Sequence, residues 1–421
     1  MVERAYLVGV AMPEETDAEA LSLLDELEAL VGTLKIGIVG KEPVRVRQPH
    51  PHALLGRGQM KAIIAAAKQR RADCLVLDAE LSPAQQRNWE SASNLCVLGR
   101  EEVILDIFSE RARTREAVLQ VDLARAEHSL PRLKNAWSHL SRQRGGGGVT
   151  QRGEGEAQIE LDARIVRQRI ARLKKDLAAV IRHRETQRKQ RQRVPVPTAA
   201  IVGYTNAGKS TLLNALTGSD VLVEDKLFAT LDPTTRQMRL PSGQKLLLTD
   251  TVGFVRRLPH QLVDAFKATL EEAVLADFLV HVVDASHPEA REQSDTTLAV
   301  LRELGADEKR ILTVHNKIDL CERPFEAPQR ASQPIPVSAR TGAGIPLLAA
   351  ASEQLLEDRV LPMELEIPFD RYELVSQLHE VGAVQGQRAS DGGMRVSANL
   401  PVRLQRLYAP YRVAGEAENN G

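Results

Sequence analysis

The run Ile201-Val202-Gly203-Tyr204-Thr205-Asn206-Ala207-Gly208-Lys209-Ser210-Thr211 constrains this chain more than any other stretch. It contains G-x-x-x-x-G-K-S, from Gly203 to Ser210. An apolar run, Thr198–Val202, leads in. Leu212, Leu213, Ala215 and Leu216 lead out at helical spacing. Strand, glycine loop and helix in that order form the context a phosphate-cradling loop requires. Gly203 and Gly208 let the backbone curl until its N–H groups converge on phosphate oxygens, at the positive end of the helix dipole. Lys209 is placed to reach the β- and γ-phosphates, and the Ser210 hydroxyl to bind Mg²⁺.

Further segments follow in the order a guanine-nucleotide switch needs. Leu227-Phe228-Ala229-Thr230-Leu231-Asp232-Pro233-Thr234-Thr235 is rich in hydroxyls and helix breakers, as a mobile nucleotide-sensing loop should be. Phe228 to Asp232 are expected at the nucleotide. Thr230 is the candidate second metal ligand and catalytic sensor of the γ-phosphate, with Thr234 as its competitor. Lys245–Thr249 reads as a strand ending in Asp250-Thr251-Val252-Gly253, the D-x-x-G pattern. There the Gly253 N–H would bind the γ-phosphate and be released on hydrolysis, and Asp250 would hold Mg²⁺ through water. Arg310–His315 is a buried strand delivering Asn316-Lys317-Ile318-Asp319, the N-K-x-D pattern. A carboxylate at Asp319 pairs with N1–H and the exocyclic amine of guanine, a donor pair that adenine lacks. Ser338-Ala339-Arg340 would supply backbone near guanine O6. Taken together, these elements predict a GTPase that binds GTP and GDP, with Lys209, Thr230 and Gly253 nearest the chemistry.

Two residues qualify that reading. Phe254 follows D-T-V-G where many GTPases carry a glutamine that orients the attacking water, so intrinsic hydrolysis should be slow until a partner completes the site. Asn206 places a side-chain oxygen near the β/γ bridge, as in GTPases stimulated by monovalent cations. K⁺ is therefore an expected second cofactor beside Mg²⁺.

A chain of 421 residues exceeds one ordinary core. With 43% hydrophobic and 27% charged residues, it reads as globular. No apolar stretch is long enough to span a bilayer, the N-terminus lacks a signal-peptide pattern, and a cytoplasmic location is expected. The three cysteines, Cys74, Cys96 and Cys321, show no metal spacing and read as buried free thiols. Nothing demands a dimer, so a monomer is expected.

Upstream of the nucleotide motifs, strand-like and helix-like segments alternate: Tyr6–Ala11, Ala18–Leu30, Leu34–Val39, Met60–Lys68, Cys74–Leu77, Pro83–Ser91 and Leu95–Leu98. That alternation predicts a parallel sheet with covered faces. Leu55-Gly56-Arg57-Gly58-Gln59-Met60-Lys61 reads as a plain turn at a helix entry, with a phosphate site as the alternative. Asp73 and Asp78, flanking a strand, read as caps.

From Arg111 the pattern changes. Leu119, Leu123, Ala126, Leu130, Leu133, Trp137 and Leu140 form one series, and Ile159, Val166, Ile170, Leu173, Leu177 and Val180 a second. Both have the seam periodicity of helices packed at a shallow angle. Between them, Arg142 to Gly155 holds four consecutive glycines, Gly145–Gly148, which predict a flexible tip joining two antiparallel helices. Pro131 should kink or restart the first helix. Arg164 to Arg193 carries twelve Lys or Arg against two acids, Asp176 and Glu185. So few acids cannot relieve the repulsion, and a polyanionic partner follows. With Trp137 as the hairpin's one aromatic, phosphate contacts to structured RNA fit better than base stacking. After Val360 the order strand (Glu364–Pro368), helix (Tyr372–Val381), strand (Ala383–Gln387), strand (Met394–Ala398) reads as a small α+β appendage, with Asp391-Gly392-Gly393 as a hairpin turn.

On these residues the chain resembles the HflX GTPases of the Obg–HflX branch of translation-factor-related P-loop GTPases. The resemblance is carried by G-Y-T-N-A-G-K-S-T-L-L-N (Gly203–Asn214), L-F-A-T-L-D-P-T (Leu227–Thr234), D-T-V-G-F (Asp250–Phe254) and N-K-I-D (Asn316–Asp319). R-A-R-T-R-E-A-V-L-Q-V-D-L-A (Arg111–Ala124) and G-E-G-E-A-Q-I-E-L-D (Gly153–Asp162) extend it over the hairpin. It implies a ribosome-associated GTPase that binds the large subunit and its ribosomal RNA, inserts the hairpin toward the peptidyl-transferase region and splits stalled ribosomes under stress. The expected architecture is α/β and multidomain. It comprises an N-terminal α/β domain (1–110), a basic helical hairpin (111–193), a Ras-like P-loop GTPase domain (194–360) and a small C-terminal α+β domain (361–421). A GTP-regulated RNA chaperone is the alternative function, and a protein-binding scaffold a third.

Overall fold

The computed structural model describes residues 2–136, 151–191, 196–219, 227–257, 272–306, 308–322, 333–357, 360–381, 383–390 and 392–413. Trp137, Leu140, the glycine run Gly145–Gly148, Asp391 and the terminal Gly415–Gly421 lie outside the described residues. The chain divides into two compact units. Unit 1 comprises 1–181, 225–232 and 256–267; unit 2 comprises 182–224, 233–255 and 268–421.

Unit 1 begins with four parallel strands in the order β2-β1-β3-β4: β1 (Arg4–Ala11), β2 (Gly37–Arg45), β3 (Cys74–Leu77) and β4 (Cys96–Gly99). Helix α1 (Asp17–Thr33) starts at a Thr16 capping box, with Glu19 N–H donating to Thr16 Oγ1 at 3.2 Å and Thr16 N–H to Glu19 Oε2 at 2.7 Å. It buries Leu23, Leu24, Leu27, Leu30 and Val31, each worth on the order of 2 kcal/mol in area removed from water. Helices α2 (Arg57–Gln69) and α3 (Pro83–Ser93) bring Met60, Ile63, Ile64 and Trp89 into a core shared with Tyr6, Val8, Leu75, Leu77 and Val97. Two sequence expectations shift here. The second strand runs later and longer than Leu34–Val39. Asp73 is a cap, its carboxylate accepting the N–H groups of Glu3 and Arg4, whereas buried Asp78 pairs with Arg100.

Helix α4 (Arg100–Arg111) was not legible in the sequence. Arg100, Glu101, Val103, Ile104, Leu105, Ile107 and Phe108 are all buried, so it shows no clean polar face. Helices α5 (Arg115–Ala136) and α6 (Gln151–Arg191) follow. Leu123, Ala126 and Leu173, flanked by Leu119, Val166, Ile170 and Leu177, form their seam, as the periodicity predicts. Pro131 does not restart α5, which is continuous through it, and the Arg132 guanidinium reaches back to the His128 carbonyl at 3.0 Å in the weakened turn. The C-terminal end of the expected tip, from Gln151, is helical. Helix α6 already runs through Gly153 and Gly155, because length and neighbouring Glu, Ala and Gln outweigh two isolated glycines at about 1 kcal/mol each.

Unit 2 holds six strands in the order β10-β9-β8-β5-β7-β6: β5 (Thr198–Gly203), β6 (Thr234–Arg239), β7 (Lys245–Asp250), β8 (Phe278–Asp284), β9 (Arg310–Asn316) and β10 (Ile335–Pro336). All pair in parallel except the β6–β7 edge. Helices α7 (Lys209–Thr217), α8 (Ala290–Glu303) and α9 (Ile345–Glu357) accompany the sheet. Strand β8 is buried along its whole length, as a central parallel strand must be. The C-terminal part adds three antiparallel strands, β11 (Val360–Ile367), β12 (Val384–Ser390) and β13 (Gly393–Pro401), in the order β11-β13-β12. Helix α10 (Tyr372–Val381) agrees with the sequence reading, while α11 (Val402–Tyr408) was not expected. Tyr408 closes this core, its hydroxyl donating to the Leu374 carbonyl at 2.9 Å.

Candidate nucleotide-binding site

Open parallel sheets bind ligands outside the carboxyl ends of their strands, where connections diverge. In unit 2 that edge collects the sequence-predicted motifs. Central β5 has β8 on one side and β7 on the other. The phosphate loop follows β5, D-x-x-G ends β7, N-K-x-D follows β9, and Ser338-Ala339-Arg340 follows β10.

Within the loop, Gly208 takes φ +89° as it leads into α7, and a Cβ there would come within 2.3 Å of Asn316 Nδ2. Only glycine serves at that point. Asn206 also holds a left-handed backbone, φ +60°, which asparagine tolerates, and its side chain is exposed. Tyr204, Thr205 and Ala207 are buried. Lys209 is buried too, its Nζ donating to the Tyr204 carbonyl at 2.8 Å and the Gly203 carbonyl at 3.3 Å. Burial lowers its pKa to about 8, opposed by the nearby Asp250 carboxylate.

Ser210 Oγ donates to Asp250 Oδ2 at 2.6 Å, bringing a hydroxyl and a carboxylate together at the start of α7. Thr251 Oγ1 donates to the Ile201 carbonyl at 2.7 Å, anchoring the turn after β7 to β5. Beyond it, Val252 is buried, and Phe254 bridges the phosphate loop through its backbone. Its N–H donates to the Gly203 carbonyl at 3.1 Å, and its carbonyl accepts the Thr205 N–H at 2.8 Å. The Phe254 side chain is buried. Gly253 lies tight against the loop, since an added Cβ would stand 2.8 Å from Lys209 Nζ and 2.8 Å from Thr205 Cα.

The segments expected to meet the base are locked to the same loop. Asn316 Nδ2 donates to the Ala207 carbonyl at 2.8 Å, and its Oδ1 accepts the Ala339 N–H at 3.0 Å. Ser338 Oγ donates to Asp319 Oδ1 at 2.6 Å, which fixes the carboxylate's plane. Lys317, at φ +62°, pairs with Asp284 at 2.7 Å, and its Cε lies near Gly208. Ile318 N–H donates to the Val337 carbonyl, closing the N-K-x-D turn on the strand before Ser338. His281 on β8 is buried, and desolvation, with His315 and Lys209 nearby, lowers its pKa to about 4.

The segment Phe228–Asp232, expected at the nucleotide, groups with unit 1. Phe228 and Leu231 are buried there, Phe228 edge-on to Phe108 with ring centroids 4.6 Å apart. The Asp232 carboxylate accepts the N–H groups of Arg113 and Thr114 at 3.0 and 3.1 Å. Those three side chains are therefore spent on protein contacts, while Ala229 and Thr230 are half-buried between them. The residues just after D-x-x-G-F are also held in unit 1. Arg256 pairs with Glu26 at 3.0 Å, and Arg100 donates to the Arg256 carbonyl at 3.0 Å. Arg257 lies 3.5 Å from Asp78 and pairs with Glu15. Sequence reasoning missed Glu26, Arg100 and Thr114 and read Asp78 as a cap, because their partners lie far away along the chain and no local pattern announces them.

A phosphate loop, a carboxylate beside its serine and an oriented guanine-type carboxylate, all at one edge of a parallel sheet, place unit 2 among the P-loop GTPases. Profiles of known families agree over three adjoining stretches. That described as GTP-binding GTPase N-terminal matches residues 22–109, GTP-binding GTPase Middle Region matches 111–191, and 50S ribosome-binding GTPase matches 198–317. The GTPase HflX of Akkermansia muciniphila is 51% identical over 96% of this chain and 95% of its own length. That of Escherichia coli K12 is 40% identical over 95% of this chain and 94% of its own length. A solved structure described as SsGBP in complex with GDP is 26% identical over 84% of this chain and 98% of its own, with a TM-score of 0.47. The chain belongs to the HflX family of GTPases on the strength of its sequence relatives. Among the described residues, no helix is long and apolar enough to cross a membrane.

Proposed function

We propose that this chain is a Mg²⁺-dependent GTP hydrolase whose nucleotide state governs how its basic hairpin engages the RNA of the large ribosomal subunit, and that its task is to split stalled ribosomes. The observation that carries the nucleotide half is the Asp319 carboxylate, held by Ser338 beside an Asn316 that is bound to the phosphate loop. A fixed carboxylate there accepts two donors from guanine, and adenine leaves it unsatisfied. Ser210 Oγ and Asp250 Oδ2 are hard oxygen donors at the start of α7 and suit Mg²⁺. Mg²⁺ there would offset charge on the β- and γ-phosphate oxygens.

The protein's own groups supply the remainder. Lys209 exchanges its two backbone carbonyl acceptors for phosphate oxygens, which restores its full charge where charge develops. The Gly253 N–H and Thr230 report the γ-phosphate. Phe254 offers no group to orient water, so turnover depends on a partner, and such partners contribute roughly 10³–10⁵-fold in related systems.

The ribosomal half rests on charge and on the matched 50S ribosome-binding profile. Some of the basic charge on α6 is answered internally: Arg169 by Asp122, Lys174 by Glu127 and Arg184 by Glu272. Arg164, Arg167 and Lys175 remain exposed on the same helix. Calorimetric titration with GTP and ATP in Mg²⁺ tests the nucleotide half. Guanine should bind at least about 10²-fold tighter, and equal affinities refute the assignment. Equal stimulation of turnover by any structured RNA would favour an RNA chaperone instead.

A further inference from the structure

Cys74 and Cys96 open β3 and β4, and they are direct register partners across that parallel pair. Partners in parallel strands project from the same face of the sheet. Neighbouring strands lie about 4.8 Å apart, inside the roughly 4.4–6.8 Å between Cα atoms that a disulfide spans. The two thiols differ in access. Cys74 is fully buried, whereas Cys96 on the edge strand is exposed. The Cys74 thiol donates to the Leu75 carbonyl at 3.5 Å; the neighbouring Cys96 thiol, and then burial, raise the Cys74 pKa, while Cys74 lowers that of Cys96. Partial burial, and then Glu90, Glu102 and Asp106, act on Cys96 in the opposite sense. Of the three free thiols expected to be buried, Cys74 is, whereas Cys96 is exposed and Cys321 half-buried.

We propose that Cys74 and Cys96 are an oxidisable pair that closes to an intramolecular disulfide when hydrogen peroxide reaches the edge of the sheet. The Cys96 thiolate attacks one peroxide oxygen. The O–O bond breaks, hydroxide leaves and takes up a proton as water, and Cys96 becomes a sulfenic acid. The Cys74 sulfur then attacks the sulfenic sulfur. The S–O bond breaks, the S–S bond forms, and the oxygen leaves as a second water carrying the Cys74 proton. Two thiols supply the two electrons that reduce one peroxide.

Peptide mapping of the full-length chain tests this. Arg71, Arg87 and Arg100 let trypsin place the two cysteines on separate peptides. After peroxide treatment, quenching and alkylation in denaturant, the expected product is the two peptides joined, lighter by two hydrogens and separated by dithiothreitol. Cys74→Ala should instead leave a sulfenic acid on Cys96 that dimedone traps, and Cys96→Ser should leave Cys74 fully alkylated. Recovery of both wild-type cysteines as alkylated thiols overturns the proposal. So does a wild-type Cys96 sulfenic acid that persists as long as in Cys74→Ala, or a Cys96 linked to Cys321 or to a second copy. The wild-type map decides the matter even if a variant folds poorly.

Discussion

Asp232 closes the start of the helix that begins at Arg115. Its Oδ1 accepts the Thr114 hydroxyl at 2.5 Å, and its Oδ2 accepts the N–H groups of Arg113 and Thr114. The Thr114 hydroxyl in turn accepts the Ala117 N–H at 3.2 Å. A carboxylate two residues from Thr230, the proposed γ-phosphate sensor, thus satisfies donors at the root of the hairpin. In the proposed cycle, movement of the segment on GTP binding is felt at α5. Asp232→Ala should destabilise that helix start by about 1 kcal/mol and abolish any GTP-dependent change in amide exchange over 114–120. Exchange that still responds to a non-hydrolysable GTP analogue would remove Asp232 from the coupling.

Base choice is predicted to reside in Asp319. Asp319→Asn replaces two acceptor oxygens with one acceptor and one donor, and the donor opposes guanine's own. GTP affinity should fall roughly 10²-fold, the loss of a charged hydrogen bond with a buried mismatch. Xanthosine triphosphate, which presents a carbonyl where guanine has its amine, should improve relative to GTP. Unchanged GTP binding in competition assays contradicts the role given to Asp319.

Stability should fall on mild acidification. His281 is neutral when folded, with a pKa near 4, and the unfolded chain binds its proton near 6.5. Its contribution is complete above pH 6.5 and declines as pH falls toward 4, because there the unfolded state holds more protons. The decline should be roughly 2 kcal/mol between pH 7.5 and 5. His315, shifted in the same direction by burial, adds to it. Urea denaturation at several pH values checks this, and His281→Leu should flatten the dependence.

Breaking the buried ion cluster in unit 1 should be costly. Asp78 lies 2.9 Å from Arg100 and 3.5 Å from Arg257, with Arg100 also held by Glu26. Burial raises the Asp78 pKa while the two guanidinium groups hold it down. Asp78→Ala removes one of the carboxylates that neutralise buried Arg100, at about 3–5 kcal/mol. A denaturation midpoint matching wild type would show that water reaches the cluster.

What the sequence disclosed follows from the range of the forces involved. The phosphate loop, D-x-x-G and N-K-x-D are chemistry written in contiguous residues, and the sheet brings them to one edge as their spacing implies. The α5–α6 seam was legible because Leu119, Leu123, Leu173 and Leu177 repeat with helical period. Helix α4 was hidden because burial on nearly every side erased its period. Pro131 and Gly153 misled, since local helix breakers were outweighed by long helices packed along a seam. The contact of Asp232 with Thr114 was hidden because 118 residues separate them. Likewise, only strand register joins Cys74 to Cys96.

The decisive assay is GTP turnover by the full chain with and without purified large ribosomal subunits. Turnover should be slow alone and rise about 10²-fold or more with the subunits. Lys209→Ala should abolish the stimulated rate, and replacing Arg164, Arg167 and Lys175 by glutamine should reduce it severalfold while leaving GTP affinity unchanged. A rate that large subunits do not alter, or alter no more than free structured RNA does, would contradict the proposed coupling to the ribosome.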